Sequence, residues 1–344
     1  MRYTLSAPPF DAAKLSANFG FPVPPPFVTL LNALCADCGS AKAACERLED
    51  VLGWIPAGDD MRYDGTPPEL FPIAGTGVDG GHFGYVIHAP ELPASDHPIG
   101  RFEPMDSDGV RLVGMTTFEA AETVLSFEMQ CDQEFGLFRS PFSSAWWPEI
   151  AARLRSLRIE PDLAKAGRDY ENGHGKPVTP AVPEGWRHVA SADGIGVLAP
   201  APLFHPAPLP AVERRPDVSA VLGAALRYAA DQFPATALWL LRECYWRVWP
   251  DPDSIALCRA MIDAYHVLGR PSLAAVVNRH RIPPQQITED EMRAAIADAI
   301  KDSGATGKKD MGKVMGILRG KYAGKYAKLD FAKASALVKA VLSG

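Results

Sequence analysis

Long apolar runs are missing from this chain of 344 residues. No run approaches the roughly 18 residues that a membrane-spanning helix needs, and the first residues lack the apolar stretch of a secretory signal. We therefore expect a cytoplasmic protein with no membrane partner. Hydrophobic residues make up 47% of the sequence and charged residues 22%, which is ordinary for a globular chain with two or three domains.

Cysteines are also few, and six of them in a chain of this length do not suggest a disulfide scaffold. The densest group is Cys35-Ala-Asp-Cys38, with Cys45 beyond it. A zinc site would need a fourth ligand and a second ligand pair, and neither follows nearby. Cys38 and Cys45 fall on the apolar stripe of a predicted helix, where cysteine acts as a small hydrophobe. We expect no metal and no cofactor.

Common catalytic signatures are absent as well. The sequence has no Gly-x-Ser-x-Gly and no His-Glu-x-x-His, and no phosphate-loop lysine follows the glycines of residues 75–81. Asp79 and His82 flank glycines and could act as base and orienter in a hydrolase. The alternative is structural, with Asp79 shaping a turn and His82 starting a strand. We favour the alternative and predict a protein that is not an enzyme.

Positive charge is concentrated at the C-terminal end. Residues 301–344 carry a net charge of +7, whereas the preceding chain carries −13. A basic end on an acidic chain predicts an anionic partner for that end, or its docking onto the rest of the chain.

The N-terminal part is organised around residues 66–92. Prolines stiffen Pro67-Pro-Glu-Leu-Phe-Pro72, glycines at 75–81 predict a tight turn, and the aromatic residues that follow predict a strand over 82–88. Helices are predicted before this stretch, and two further strands and a helix after it.

With Pro68-Glu-Leu-Phe-Pro72, Gly75-Thr-Gly-Val-Asp-Gly-Gly-His-Phe-Gly84 and the strand at 98–105, residues 28–130 resemble the SUKH superfamily. That superfamily (SMI/KNR-like) includes bacterial immunity proteins and fungal cell-wall-synthesis regulators. The resemblance implies an α+β domain of helices and a short antiparallel sheet that binds a protein partner, such as a toxin. The candidate contact residues are Thr76, Asp79, His82 and Tyr85.

Changes in composition and in predicted secondary structure along the chain predict a multidomain protein. The predicted segments are a SUKH-like domain (1–130), an extension and Pro-rich linker (131–216), repeat-like helical hairpins (217–284) and a helical tail (285–344). Within the hairpins, proline and glycine punctuation predicts helices at 218–233, 236–249, 254–268 and 271–281. An aromatic cluster there is either a ligand face or, as we favour, core; its members are Trp239, Tyr245, Trp246 and Trp249.

The tail pattern predicts a bundle of three short helices. Thr288-Glu-Asp-Glu291 is a capping box, and Asp330 is the predicted cap of the third helix. Gly312 and Gly316 in the second helix would let another helix approach closely.

Through Gly304-Ala-Thr-Gly-Lys-Lys-Asp-Met-Gly-Lys-Val-Met-Gly316, residues 286–343 resemble the tail domain of the GatB/YqeY family. Two departures are a longer loop, through Tyr326-Ala-Lys-Leu329, and Phe331 where the family usually has glycine. The resemblance implies the tRNA-contacting tail of an amidotransferase, or a stand-alone protein. The candidate RNA-binding residues are Lys308, Lys309, Lys313, Arg319 and Lys321. The alternative is a solvated lysine face.

These features support two main functional hypotheses. The leading one is a non-enzymatic adaptor whose SUKH-like domain recognises a protein partner, with the helical modules adding contacts. The alternative is an RNA-associated factor that binds tRNA through its tail. A hydrolase centred on Asp79 and His82 is the third and least favoured hypothesis.

Overall fold

The computed structural model describes residues 5–63, 65–105, 109–136, 140–162, 176–213, 217–245, 252–282, 289–322 and 331–342. Contacts divide the chain into two compact units, Met1–Arg281 and Ile282–Gly344. The first contains helices, a small antiparallel sheet and then more helices, and the second is helical. The predicted order, an α+β N-terminal part before a helical C-terminal region, is confirmed. The SUKH-like fold and the four segment limits stay predictions.

Three helices precede the sheet: α1 (Ala12–Phe19), α2 (Pro25–Cys35) and α3 (Ala41–Leu52). Asp11 and Ser40 cap α1 and α3 by accepting hydrogen bonds from backbone amides in the first turn. Each helix buries one apolar face, which includes Leu15, Leu31 and Leu48.

The sheet is a five-stranded antiparallel meander in chain order. Its strands are β1 (Ile55–Pro56), β2 (Leu70–Gly75), β3 (His82–Val86), β4 (Ile99–Phe102) and β5 (Val110–Gly114). The predicted turn between β4 and β5 falls on residues 106–109, of which 106–108 lie outside the described residues.

Strand β2 corrects one expectation. Residues 67–72 were expected to be a stiff lead and Gly75 part of a turn, but a buried strand runs from Leu70 to Gly75. Pro72 pairs with Gly84, and the register shifts between Pro72 and Ala74. A local irregularity of this kind lets a strand include a proline, which has no N–H to donate.

Helix α4 (Thr117–Phe135) follows the sheet, and Thr116 caps it by accepting a hydrogen bond from the amide of Glu119. Helix α5 (Trp147–Ser156) comes next. Beyond it, β6 (Trp186–Val189) and β7 (Val197–Pro200) form an antiparallel hairpin. Val178 and Ile195 share a buried cluster with Leu70, Val86, Phe102 and Val110, so this region packs against the sheet.

Four helices complete the first unit: α6 (Val218–Ala230), α7 (Pro234–Tyr245), α8 (Pro252–Val267) and α9 (Pro271–Arg281). They correspond to the four predicted helices with bounds within three residues, except that 246–249 of the second predicted helix lie outside the described residues. Trp239 and Tyr245 are buried, as the core interpretation predicts, and the Trp239 indole N–H donates to the carbonyl of Ala190 at 2.8 Å. Trp246 and Trp249 lie outside the described residues.

The second unit contains α10 (Glu289–Ser303), α11 (Met311–Tyr322) and α12 (Phe331–Val341). All three contribute to one core of Met292, Ala295, Ile296, Ala299, Val314, Leu318, Ala334 and Val338. The predicted capping residues Thr288 and Asp330, and the loop at 326–329, lie outside the described residues. No helix in the described part of the chain is long and apolar enough to cross a membrane.

Candidate functional site

Helix α11 divides its residues between the bundle core and an open face. Val314 and Leu318, four residues apart, are buried in the core. Gly312, Lys313 and Gly316 lie on the exposed side. The helical period of 3.6 residues therefore places a stripe of glycine and lysine opposite the apolar stripe.

The two glycines of this stripe correct an expectation. They were expected to let another helix approach, but a Cβ built on Gly312 or Gly316 would meet nothing within 4 Å among the described residues. Glycine inside a helix costs roughly 1 kcal/mol relative to alanine. The packing of the described bundle does not account for this cost, and no described residue covers the helix backbone at the two glycines.

Two of the predicted lysines have described side chains. Lys309 is exposed, and the Lys313 side chain is 69% exposed. Lys308 belongs to a short 3₁₀ turn before α11, and Arg319 and Lys321 to the helix itself. The side chains of these three residues lie outside the described part of the structure.

Asp310 orders the chain just before the exposed face of α11. Its Oδ2 accepts a hydrogen bond from the backbone amide of Thr306 at 3.2 Å, which ties the preceding loop to the helix. The Lys313 ammonium donates to Oδ1 at 3.0 Å and is the main reason that the pKa of Asp310 is lowered. Lys313 is thus held at the first turn of α11, while Lys309 extends from the residue before Asp310.

The predicted residues of the first unit are divided between surface and core. Thr76 and Asp79 belong to the turn between β2 and β3, where Asp79 is exposed with φ 48°. The Thr76 hydroxyl lies 3.1 Å from the carbonyl oxygens of Val78 and Gly81, so it braces the turn from within. Both structural roles suggested by the sequence are present, because Asp79 shapes the turn and His82 begins β3.

His82 and Tyr85 of β3 are fully buried. His82 Nδ1 lies 2.8 Å from the Gly80 carbonyl, and Nε2 lies 3.2 Å from the Thr66 hydroxyl. Burial lowers the pKa of His82 to about 4, so the ring is neutral at pH 7. The Tyr85 hydroxyl hydrogen-bonds that of Thr117 at 2.7 Å. The structure therefore brings the four predicted residues to one strand and its turn, but only the turn offers side chains to a partner.

A buried ionic cluster was missed by the sequence analysis. Arg242 of α7 contacts Glu69 at 2.5 Å and Asp193 at 2.5 Å. The Tyr265 hydroxyl of α8 donates to Glu69 at 2.7 Å. Glu69 comes from the Pro68-Glu-Leu-Phe-Pro72 motif, so this cluster joins the motif to the helices that follow it. A single charged residue among the apolar residues of 67–72 was the available signal.

Two thiols of the cysteine cluster hydrogen-bond backbone carbonyls. Cys35 Sγ hydrogen-bonds the carbonyl of Ala44 at 3.7 Å, and Cys38 Sγ that of Ala43 at 3.6 Å. Burial raises the pKa of the Cys35 thiol. Across the described residues, no group of three or more His, Cys, Asp or Glu side chains is arranged to hold a metal.

Comparison with known proteins finds a family match for the C-terminal part of the chain. No curated protein matches the chain. Residues 261–342 match the family described as Yqey-like protein, a segment that begins within α8 and includes all three helices of the second unit. The C-terminal part of the chain thus contains a YqeY-like domain.

Proposed function

We propose that this chain is a non-enzymatic binding protein whose C-terminal unit binds structured RNA, with tRNA as the first candidate. The observation that carries the proposal is the exposed glycine and lysine stripe on α11, opposite a well-packed apolar stripe. The YqeY-like match over the same residues supports it, since the resemblance of this tail to the GatB/YqeY family implies tRNA contact.

Charge and shape both favour a phosphate backbone as the ligand of this face. Lys309 and Lys313 are exposed cations in a segment of net charge +7. Phosphate contacts by lysine release counterions and supply affinity without reading bases. Gly312 and Gly316 add no side chain, so an RNA backbone can come close to the helix.

A charge-reversal experiment tests this proposal. The full chain, Lys309→Glu/Lys313→Glu and the control Lys14→Glu/Lys42→Glu are titrated with bulk tRNA at low salt. The control changes two exposed lysines of the first unit and alters net charge by the same amount. We expect the α11 variant to lose at least tenfold in affinity and the control to lose little. Equal losses of affinity in the two variants would show that net charge alone accounts for binding. No loss of affinity in either variant would reject RNA binding at α11.

A second candidate function is recognition of a protein partner, such as a toxin, by the SUKH-like part. The observation that favours it is the exposed surface at the β2–β3 turn. Val78 is 65% exposed and Tyr63 is 45% exposed, with the Tyr63 ring packed against Gly80 of the turn. Asp79 adds a charge beside these apolar groups. Positive φ at Gly77 (79°) and Gly80 (74°) gives the turn a defined shape.

Affinity capture with matched variants tests this second candidate. Val78→Ser/Asp79→Asn removes the apolar and charged groups of the turn, and asparagine tolerates positive φ. Val267→Ser is the control, because it removes another exposed valine. A protein retained by the wild type and the control but lost by the turn variant is the expected result. Partners that are retained equally by all three chains would reject a binding role for the turn.

A further inference from the structure

A pocket of about 470 Å³ lies in the first unit between two proline-containing loops. The β3–β4 loop contributes Pro93 and Pro98, and the segment before β6 contributes Pro180 and Pro183. Its volume falls in the range of roughly 300–1,000 Å³ that is usual for small-molecule sites. Because proline fixes φ, these walls need little reorganisation to receive a ligand.

The lining of the pocket disfavours anions. No lysine or arginine is among its lining residues, and its ionisable side chains are those of His88, Asp96 and His97. Burial lowers the pKa of His97, and it lowers that of His88 to about 3, so both imidazoles are neutral at pH 7. The Asp96 carboxylate accepts hydrogen bonds from the Thr117 amide at 2.8 Å and hydroxyl at 2.7 Å. A phosphate or carboxylate would find no positive partner here.

His88 gives the pocket a hydrogen-bond acceptor of defined orientation. Its Nε2 lies 3.0 Å from the carbonyl oxygen of Val178 and 3.2 Å from that of Ile195. Carbonyl oxygens only accept, so Nε2 carries the proton of the neutral ring and Nδ1 has a free lone pair. Both hydrogen bonds that the ring makes to described residues use Nε2, and His88, which is 5% exposed, is part of the pocket wall.

We infer that this pocket binds an uncharged, largely apolar small molecule that carries an N–H or O–H donor. The donor bonds Nδ1 of His88, while the apolar body lies against Val86, Leu198 and the proline walls. The inference is independent of the RNA-binding proposal, because no residue of α11 takes part.

Two fluorescent probes with one skeleton test the charge preference. N-phenyl-1-naphthylamine is uncharged, apolar and carries one N–H donor. 8-Anilino-1-naphthalenesulfonate has the same two aromatic groups and adds a sulfonate. Titrated into the full chain, the neutral probe should give saturable binding at one site per chain. The sulfonate should bind at least tenfold more weakly. Equal affinities, or no saturable binding of the neutral probe, would overturn the inference.

Substitutions in and away from the pocket test whether the neutral probe binds there. Ala181→Trp fills the pocket from its exposed rim and should abolish binding, whereas Ala13→Trp changes an exposed alanine of α1 and should not. His88→Gln keeps an N–H for the two carbonyls but loses the ring acceptor, so it should weaken binding severalfold. N-methyl-N-phenyl-1-naphthylamine, which lacks the donor, should show the same loss with the wild-type chain. Undiminished binding in Ala181→Trp, or of the methylated probe, would contradict the site or its donor preference.

Discussion

Glu69 and Asp193 are buried carboxylates that share one guanidinium, that of Arg242. Burying a charge is costly unless it is paired and its remaining lone pairs are satisfied. Glu69 Oε1 has two partners, but Oε2 is buried with no partner among the described residues. Burial accordingly raises the pKa of Glu69, with Arg242 opposing the shift. Glu69 is therefore harder to ionise in the folded protein than in water.

Replacing Glu69 with glutamine should make the protein relatively more stable as pH rises. A carboxyl whose pKa is raised by folding stabilises fully below its unfolded-state value, about 4.3. That stability is lost as pH rises toward the folded-state pKa, at about 1.4 kcal/mol per pH unit. Glutamine does not titrate, so the difference between the free energies of unfolding of Glu69→Gln and wild type should grow as pH rises above the unfolded-state pKa and level off above the folded-state pKa, as measured by urea unfolding over a pH series. A difference that stays constant with pH would mean that folding does not raise the pKa of Glu69.

At the scale of elements, the β2–β3 turn and helix α11 use glycine for different reasons. Gly77 and Gly80 have positive φ, and a Cβ on Gly77 would lie 2.8 Å from Ile55 Cδ1. Gly312 and Gly316 lie in a regular helix, and no described residue comes within 4 Å of a Cβ built on either one. The turn glycines serve the fold itself, whereas the helix glycines reduce the stability of the bundle without serving its described packing.

The same substitution should therefore have opposite effects on stability in the two elements. Gly77→Ala and Gly80→Ala should each lower the free energy of unfolding by about 1 kcal/mol or more, because they force a side chain into positive φ. Gly312→Ala and Gly316→Ala should each raise the stability of the helical unit by up to about 1 kcal/mol. Thermal unfolding of the four single variants measures the signs. A loss of stability on Gly312→Ala would show that its glycine is needed for folding, and would remove the argument for a backbone-approach face.

Local signals predicted the helices well, because proline and glycine punctuation and capping residues involve only a few neighbouring residues. The four helices at 218–281 and the three of the tail lie where these signals predicted them. Strand β2 was missed because its prolines weigh against a strand, and the irregularity that accommodates Pro72 depends on pairing with β3. The cluster around Arg242 was missed because Glu69 and Tyr265 are 196 residues apart in sequence. Such contacts are set by tertiary packing, which a local pattern does not contain.

At the scale of the whole molecule, two compact units carry different surfaces. The first, Met1–Arg281, holds the apolar turn surface and the pocket that lacks lysine and arginine. The second, Ile282–Gly344, holds the lysine and glycine face. The distribution of charge indicated this division, because net charge can be counted from the sequence alone. The candidate RNA-binding residues on α11 and the turn before it were named from sequence, whereas the burial of His82 and Tyr85 required the folded sheet.

The salt dependence of tRNA binding tests the central claim most directly. Affinity of the full chain is measured over a series of salt concentrations, alongside Lys309→Glu/Lys313→Glu and the control Lys14→Glu/Lys42→Glu. Each phosphate contact contributes roughly 0.7 to 0.9 to the slope of log affinity against log salt. If Lys309 and Lys313 both contact phosphates, the α11 variant should have a slope shallower by about 1.4 to 1.8, and the control should keep the wild-type slope. Identical slopes for all three chains would contradict RNA binding through α11.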